Sequence, residues 1–244
     1  MHGDDYATAG THANLSWMEK ELENRFEMKS SVVGHSKLPG VTREGKILNR
    51  IIRATADGWE YECDPRHIEV LIEQLGLEDS RGAVTPGVDA TATELEIDAL
   101  QPLDDERATR YRRLVARANY IACDRADSHY AIKELCRCMG SPSEASWTAL
   151  KRLVRYFKSQ PRAVLHFEWQ SLVSAVDVYT DANWAGCRES RKSTSGGCIM
   201  YGNGCVRTWS KTQATIATSS AESELLASVK GAAESVGIVS LGAD

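Results

Sequence analysis

The sequence predicts a mixed fold, α+β or α/β, in which two strand-containing regions flank a helical middle. Residues 58–62 alternate in polarity as a strand does, and residues 175–181 repeat that pattern near the other end. Between them, Leu150, Val154 and Phe157 recur at the spacing of a buried helical face. With 244 residues, the chain has room for about two domains.

The first region, residues 1–87, is predicted to begin with a strand and a helix. Residues 6–9 are strand-like, and Gly10 ends the pattern. A helix follows through Phe26, with Trp17 or Met18, then Leu22 and Phe26, at helical spacing on its buried face.

Further along this region, residues 46–53 and 58–62 are predicted strands. A helix opens at Pro65 and closes at Gly76, because proline suits the first helical turn and glycine suits the end. The next boundary is a linker at residues 88–106, where no periodic pattern is sustained.

The middle region, residues 107–162, is predicted to be helical and is strongly basic. Three helices are expected at 107–122, 126–139 and 143–158, the last capped by Ser143. The region carries 13 lysine and arginine residues against 4 aspartate and glutamate residues, although the whole chain has a net charge of −5. A basic segment of this kind favours binding to the phosphates of nucleic acid. The alternative is a solvated helix face.

The last region, residues 163–244, is predicted to be a strand-rich layer followed by one helix. Ser219 and Glu222 have the spacing of a capping box at the start of that helix. The expected strands are 164–169, 175–181, 196–201, 205–210 and 215–218, and the expected apolar face of the helix is Leu225, Val229, Ala232 and Val236.

Two acidic groups have the residue types of a metal site. Asp4 and Asp5 are adjacent, and Asp181 ends a predicted strand about forty residues before the acidic helix start that holds Glu222 and Glu224. Paired carboxylates bind Mg²⁺, which prefers hard oxygen ligands, and two such ions support phosphoryl transfer. The alternative for each group is a solvated turn.

Four ordered motifs in the last region resemble the ribonuclease H domain of Ty1/copia-type retrotransposon polyproteins. They are residues 181–186 (DANWAG), 191–196 (RKSTSG), 209–213 (WSKTQ) and 219–224 (SSAESE). Residues 111–115, 126–131 and 147–156 resemble the segment that joins polymerase to nuclease in the same polyproteins, and residues 2–5 (HGDD) resemble the polymerase signature.

This resemblance implies a fold and a domain order. Residues 1–87 would be the end of the reverse transcriptase palm and the start of the thumb, and 107–162 the helical thumb or connection. Residues 163–244 would be the first part of a ribonuclease H-like mixed sheet with its helix.

The resemblance also implies roles for single residues. Asp4 and Asp5 match the paired metal-binding aspartates of the polymerase, and Asp181 matches the first nuclease carboxylate. Glu224 is preferred as the helical carboxylate, with Glu222 as the alternative. The expected phosphate contacts are Arg112, Arg113, Arg117, Lys151, Arg155 and Lys158.

The resemblance further implies Mg²⁺ or Mn²⁺ as cofactor and an RNA–DNA hybrid or other nucleic acid as partner, together with the rest of the Pol polyprotein. The sequence shows no signal peptide and no long apolar run, so we expect no membrane partner and an intracellular place: cytoplasm, virus-like particle or nucleus.

Departures from the family pattern affect the expected activity. His2 replaces the usual aromatic residue of the polymerase signature, and the third polymerase aspartate and two further nuclease carboxylates have no match in this sequence. We therefore expect a polyprotein fragment that is inactive as an isolated chain. The alternatives are a non-catalytic nucleic-acid-binding module, domesticated or residual, and a pseudogene product without function.

Overall fold

A computed structural model describes residues 6–87, 101–187 and 189–243 of the chain. Asp4, Asp5 and residues 88–100 of the expected linker lie outside the described residues. The chain divides into two compact units. The first contains the residues up to Asp64 together with Val164–Trp169, and the second contains Pro65–Ala163 and the residues from Gln170 onward.

The first unit begins with helix α1 (His12–Glu23), and the prediction for this segment was wrong in three respects: the strand, the end of the helix and its buried face. Residues 6–10 form no strand, and α1 ends before Phe26. Trp17 is 67% exposed and Phe26 is 63% exposed. No residue of α1 is buried, because an apolar stripe becomes a core face only where another element packs on it.

Two parallel two-residue strands, β1 (Val32–Val33) and β2 (Val41–Thr42), follow α1. The main sheet of the first unit is antiparallel, with the strand order β3-β4-β5-β6. Its strands are β3 (Glu44–Ile47), β4 (Arg50–Ala54), β5 (Gly58–Cys63) and β6 (Leu165–Glu168).

One predicted strand, residues 46–53, is in fact a hairpin. Leu48 and Asn49 have φ angles of 47° and 60°, which turn the chain between β3 and β4. Two consecutive residues with positive φ form the two-residue loop of a hairpin. Such a loop is usually marked in a sequence by Asn-Gly, and because Leu-Asn stands here instead, the turn was not predicted.

The strand predicted at 164–169 is confirmed as β6, but it joins the sheet of the first unit. Phe167 lies opposite Trp59 and Leu165 lies opposite Tyr61 of β5. The sheet therefore takes its last strand from a stretch that was predicted to belong to the nuclease-like region.

The helical part of the second unit agrees with the predictions. Its helices are α2 (Arg66–Leu75), α3 (Asp105–Tyr120), α4 (His129–Arg137) and α5 (Glu144–Ser159). Gly76 ends α2 in the left-handed conformation, and Ser143 forms a capping box with Ser146 at the start of α5. The predicted face of α5 is buried, as are Tyr111 and Leu114 of α3.

A buried ion pair, which no sequence pattern indicated, lies in the connection between α3 and α4. The Arg125 side chain is fully buried and donates two hydrogen bonds to Asp127, at 2.9 and 2.7 Å. The hydroxyl of Tyr156 donates to the same carboxylate at 2.9 Å, and the guanidinium lies 4.7 Å from the Phe157 ring. These contacts tie the connection to α5.

The second unit also holds an antiparallel three-stranded sheet, in the order β7-β8-β9. Its strands are β7 (Asp177–Asn183), β8 (Thr194–Tyr201) and β9 (Gly204–Thr212), followed by helix α6 (Ser220–Ala243). The predicted hairpin turn at Gly202 is confirmed. No strand forms at residues 215–218, because Gln213 binds back to the Ser193 carbonyl and Thr218 binds the side chain of Glu222.

Helix α6 packs on β7 and β8 through small residues, so its predicted apolar face was wrong. Ser223, Ala227 and Gly231 are the buried positions. A Cβ atom on Gly231 would lie 2.5 Å from Cγ2 of Thr180, so this close approach requires glycine. The large apolar residues point outward, with Leu225 64% exposed and Val236 69% exposed.

The segment Ser220–Gly242 of α6 is also long and apolar enough, by length and composition, to cross a membrane. This is weak support for a membrane span, because its inner face packs on the sheet. The expectation of no membrane partner stays a prediction.

Candidate metal and nucleic-acid site

Asp181 lies on β7 and points away from α6. Val178 and Thr180 face the helix, and the alternation of a strand places Asp181 and Asn183 on the opposite face, where both are exposed. The Asp181 carboxylate makes no hydrogen bond or ion pair with another described residue. It is therefore available to an external ligand.

Glu224 reaches β7 from the first turns of α6. Its Oε1 atom accepts a hydrogen bond from the backbone amide of Ala182, at 3.3 Å. β7 is an edge strand of the described sheet, so such an amide has no strand partner to compete for it. The contact places the carboxylate of Glu224 beside the residue that follows Asp181.

Glu222, the alternative, has a local structural role. Its Oε2 atom accepts from the amide of Thr218 at 2.6 Å and from the hydroxyl of Thr218 at 2.7 Å. These hydrogen bonds hold the pKa of Glu222 below its usual range. Of the two glutamates, Glu224 is the one bonded to β7.

Hydrogen bonds join the four motifs that carry the family resemblance. Buried Gln213 donates from Nε2 to the hydroxyl of Ser195 at 2.9 Å and to the carbonyl of Ser223 at 2.8 Å. The hydroxyl of Ser193 accepts from the amide of Ala185, and Trp184 donates to the carbonyl of Ala217. These polar motif residues fix β7, β8 and the start of α6 relative to one another.

A recess of about 290 Å³ opens on the face of the sheet that carries Asp181. Its other wall comes from His129 and Tyr130 of α4. Burial lowers the pKa of His129, and its Nδ1 atom is buried with no hydrogen-bond partner among the described residues. The remaining lining residues are Ala126, Asn183, Thr194, Gly196, Gly197, Thr208, Trp209 and Ser210.

Two polar contacts hold α4 against this sheet. Lys133 donates to the hydroxyl of Thr194 at 2.8 Å, and Arg137 donates to Sγ of Cys187 at 2.7 Å. Burial opposes ionisation of the Cys187 thiol, but hydrogen bonds from Ser190 and Arg137 outweigh it and lower its pKa to about 7. No sequence pattern indicated that α4 and the sheet share a site, because His129 and Asp181 are far apart along the chain.

The six basic residues expected to contact phosphates have different partners. Arg112 donates to the Met139 carbonyl, Arg155 to the Arg81 carbonyl, and Lys158 to carbonyls that include that of Ser80. These three side chains are held by bonds within the chain.

The other three are placed differently. The ammonium group of Lys151 lies 6.0 Å from the centroid of the Trp147 ring. Arg113 and Arg117 line a second recess, which His67 and Tyr120 complete.

The donor chemistry of Asp181 and Glu224 suits a hard divalent cation such as Mg²⁺. Across the described residues, no group of three or more histidine, cysteine, aspartate or glutamate side chains is gathered as a metal centre. The candidate metal ligands among the described residues are therefore two carboxylates. That of Asp181 has no described partner, and that of Glu224 accepts one hydrogen bond through Oε1.

Comparison with known proteins gives relatives of three kinds. The chain is 34% identical over 124 residues to an uncharacterized mitochondrial protein of Arabidopsis thaliana, AtMg00810, covering 51% of each chain. It is 32% identical over 154 residues to the retrovirus-related Pol polyprotein from transposon RE2 of the same plant, covering 63% of this chain and 10% of the polyprotein. It is 23% identical over 241 residues to the retrovirus-related Pol polyprotein from transposon TNT 1-94 of Nicotiana tabacum, covering 97% of this chain and 17% of that polyprotein.

The third kind of relative has a different name. Secreted RxLR effector protein 161 of Plasmopara viticola is 39% identical over 112 residues, which are 46% of this chain and 78% of that protein. The chain thus spans about half the length of the mitochondrial relative and about a tenth of the RE2 polyprotein. No protein-family model and no solved structure matches the chain.

Proposed function

The chain belongs to the family of Pol polyproteins of copia-type retrotransposons, and we propose that it spans the junction between reverse transcriptase and ribonuclease H. In this proposal residues 177–243 form the first part of a centre that cleaves RNA paired with DNA. The observation that carries it is the hydrogen bond from Ala182 to Glu224, because it brings the carboxylate of one motif to the backbone of the residue that follows Asp181 in another.

Asp181 and Glu224 would hold Mg²⁺ or Mn²⁺. An ion bound there supplies charge stabilisation for the attacking and leaving oxygens of phosphodiester hydrolysis. Asp181 offers both carboxylate oxygens, since it has no described partner, whereas the Ala182 amide orients Glu224 through one oxygen. The amide thus fixes one ligand before any cation arrives.

The recess beside Asp181 is the proposed contact with the nucleic acid. Hydroxyl groups of Thr208 and Ser210 and the amide of Asn183 line it and suit the sugar and phosphate oxygens of a strand. Tyr130, which is 49% exposed, offers an aromatic ring at its edge.

We propose that the isolated chain binds metal and hybrid without cutting the RNA. The family resemblance implies two further nuclease carboxylates, and the described residues gather no third ligand beside Asp181 and Glu224. Other parts of a Pol polyprotein are the proposed source of the missing ligands.

Binding of a fluorescent RNA–DNA hybrid to the full chain, with Mg²⁺ or with a chelator, tests this function. Mg²⁺ should tighten binding about tenfold, because a cation held by Asp181 also contacts a substrate phosphate. Asp181→Asn should abolish that gain. Asp177→Asn is the matched control, since Asp177 is exposed on the same face of the same strand.

An affinity that does not change with Mg²⁺ would reject the metal-bridged contact. So would a gain that Asp181→Asn leaves intact. Cutting of the RNA strand that depends on metal and on Asp181 would show instead that the chain holds a complete centre.

A second candidate function is binding of nucleic acid without chemistry. The observation that favours it is the second recess, where Arg113 and Arg117 lie beside Tyr120.

A further inference from the structure

The segment of residues 77–87 lies along α5 and is held there by basic side chains of the helix. Lys158 donates to three carbonyl oxygens of the segment, including that of Ser80 at 2.7 Å. Arg155 donates to the carbonyl of Arg81 at 2.6 Å. The positive charge of these side chains is therefore met by backbone dipoles of segment 77–87.

The end of this segment places the hydroxyl of Thr85 against another basic side chain of α5, that of Arg152. Nη2 of Arg152 donates to Oγ1 of Thr85 at 2.8 Å, and Oγ1 in turn donates to the carbonyl of Gly87 at 2.8 Å. Thr85 is exposed, and Val84 before it is 93% exposed. The residue that carries the hydroxyl is therefore open to an enzyme in solution.

The guanidinium group of Arg152 has an unused donor beside the one that binds Thr85. Its Nε atom is buried and has no hydrogen-bond partner among the described residues. Nε and Nη2 lie on one edge of a guanidinium group and together fit two oxygens of a carboxylate or a phosphate. Arg125 binds both carboxylate oxygens of Asp127 through the same two atoms. In Arg152, the Thr85 hydroxyl engages one of the two donors and leaves the other without an acceptor.

A proline, Pro86, directly follows Thr85. Proline favours extended backbone in the residue before it, and one class of protein kinase requires proline directly after the hydroxyl residue. The sequence has one other such pair, Ser141-Pro142. Pro142 is buried and its carbonyl accepts from the amide of Leu103, so that pair is built into the fold.

We propose that Thr85 is phosphorylated by a proline-directed kinase and that the phosphate binds Nε and Nη2 of Arg152. Oγ1 of Thr85 forms a bond to the γ-phosphorus of ATP, the bond from that phosphorus to the bridging oxygen breaks, and ADP leaves. The hydroxyl proton passes to the catalytic base of the kinase. The proposal requires neither the metal ligands nor the nucleic-acid partner of the proposed function.

The phosphate strengthens the attachment of segment 77–87 to α5. It adds a charge of about −1.5 to −2 at neutral pH, next to a guanidinium group that now binds only a neutral hydroxyl. Its oxygens lie on the side of the guanidinium where Nη2 already donates and Nε lacks an acceptor. A charge-assisted pair of hydrogen bonds thus replaces a single one.

Phosphate transfer is tested by incubating the full chain with a purified mitogen-activated protein kinase, which is proline-directed, and ATP labelled in its γ-phosphate. Mass spectrometry should find the phosphate on Thr85, and Thr85→Ala should abolish labelling. Ser141→Ala is the matched control and should retain labelling, because Ser141 also precedes a proline but that proline is buried.

The contact with Arg152 is tested by phosphorus NMR of the phosphorylated chain as a function of pH. The second pKa of phosphothreonine is about 6, and an adjacent guanidinium should lower it by about 0.5–1 because it favours the dianion. Arg152→Gln should return the midpoint to about 6. Arg43→Gln should leave it low, because Arg43 is an exposed arginine of the first unit without a described side-chain partner.

Three results would overturn the proposal. One is a chain that the kinase does not label. Another is label on Ser141 that is equal to or greater than the label on Thr85. The third is the same phosphorus midpoint in the parent chain and in Arg152→Gln, since the phosphate would then have no contact with that guanidinium.

Discussion

Oε1 of Glu224 accepts a hydrogen bond from the backbone amide of Ala182 at 3.3 Å. The bond joins the start of α6 to the open edge of β7, next to Asp181. This contact is separate from the capping of α6, because Glu222 already binds the amide and hydroxyl of Thr218 at the helix start.

The two glutamates should therefore respond differently to the same substitution. Glu224→Gln should weaken Mn²⁺ binding about tenfold or more, because it removes one of two charged ligands, and should change stability little. Glu222→Gln should retain Mn²⁺ binding and lower the free energy of unfolding, because it weakens the interaction at the helix start. Calorimetric titration with Mn²⁺ measures binding, and urea unfolding measures stability. Loss of Mn²⁺ binding in Glu222→Gln but not in Glu224→Gln would contradict the prediction and make Glu222 the ligand.

Gln213 should be a stability residue of the nuclease-like part. Replacement by Leu leaves the Ser195 hydroxyl and the buried Ser223 carbonyl without their donor, so the free energy of unfolding should fall by about 1–3 kcal/mol. Gln101→Leu, at an exposed position, is the control and should stay within about 0.5 kcal/mol of the parent chain. Equal effects of the two changes would contradict a stabilising role for the Gln213 hydrogen bonds.

Asp127 should stabilise the helical part at neutral pH. Burial opposes the charged form, but hydrogen bonds from Arg125 and Tyr156 outweigh it and hold the pKa of Asp127 below its usual range. Asp127→Asn leaves the buried guanidinium without its counter-ion and should cost about 3 kcal/mol, whereas Asp79→Asn, at an exposed site, should cost little.

The stability lost in Asp127→Asn should depend on pH, because the pKa of Asp127 is lowered in the folded chain. The contribution of Asp127 is complete above its unfolded-state pKa of about 3.9, and it is lost as the pH falls through the lower folded-state pKa. The stability difference between the parent chain and Asp127→Asn should be constant near neutrality and shrink only in acid. A difference that already shrinks at about pH 6 would contradict this assignment.

Cys187 should ionise near neutral pH. The difference in ultraviolet thiolate absorbance between the parent chain and Cys187→Ser should titrate with a midpoint at about 7. Arg137→Met removes a donor to the sulfur and should raise that midpoint toward about 8.5. The control, Cys123→Ser, should leave the component near 7 in place.

Local signals in the sequence predicted much of the fold. Ser143 and Gly76 mark helix ends through their own backbone chemistry, so their positions were confirmed. The inner face of α6 could not be predicted in the same way, because an apolar pattern points to the large side chains of Leu225 and Val229, which are exposed. Gly231 is buried instead, since only a residue without a side chain fits against Thr180. The pairing of β6 with β5 could not be predicted from local sequence, because the two strands are far apart along the chain.

The candidate site was predictable only where a motif marks it. Asp181 and Glu224 stand in recognisable motifs, and the structure brings the second to the strand of the first. His129, Tyr130 and His67 were missed as site residues, since each joins its recess through packing between elements remote in the chain. Arg155 and Lys158 looked like phosphate contacts by spacing, yet loop carbonyls engage them.

Cleavage of the polypeptide by hydroxyl radicals from bound Fe²⁺ tests the proposed metal site most directly, because it locates a divalent cation without requiring turnover. Fe²⁺ replaces Mg²⁺ at oxygen ligands. Added hydrogen peroxide oxidises it to give a hydroxyl radical that cuts the backbone nearby, and ascorbate reduces the resulting Fe³⁺ to Fe²⁺ again. A cation held by Asp181 and Glu224 predicts cuts near both residues that Mg²⁺ suppresses, that Asp181→Asn abolishes and that Asp177→Asn retains. Cuts elsewhere, or cuts that persist unchanged in Asp181→Asn, would contradict it.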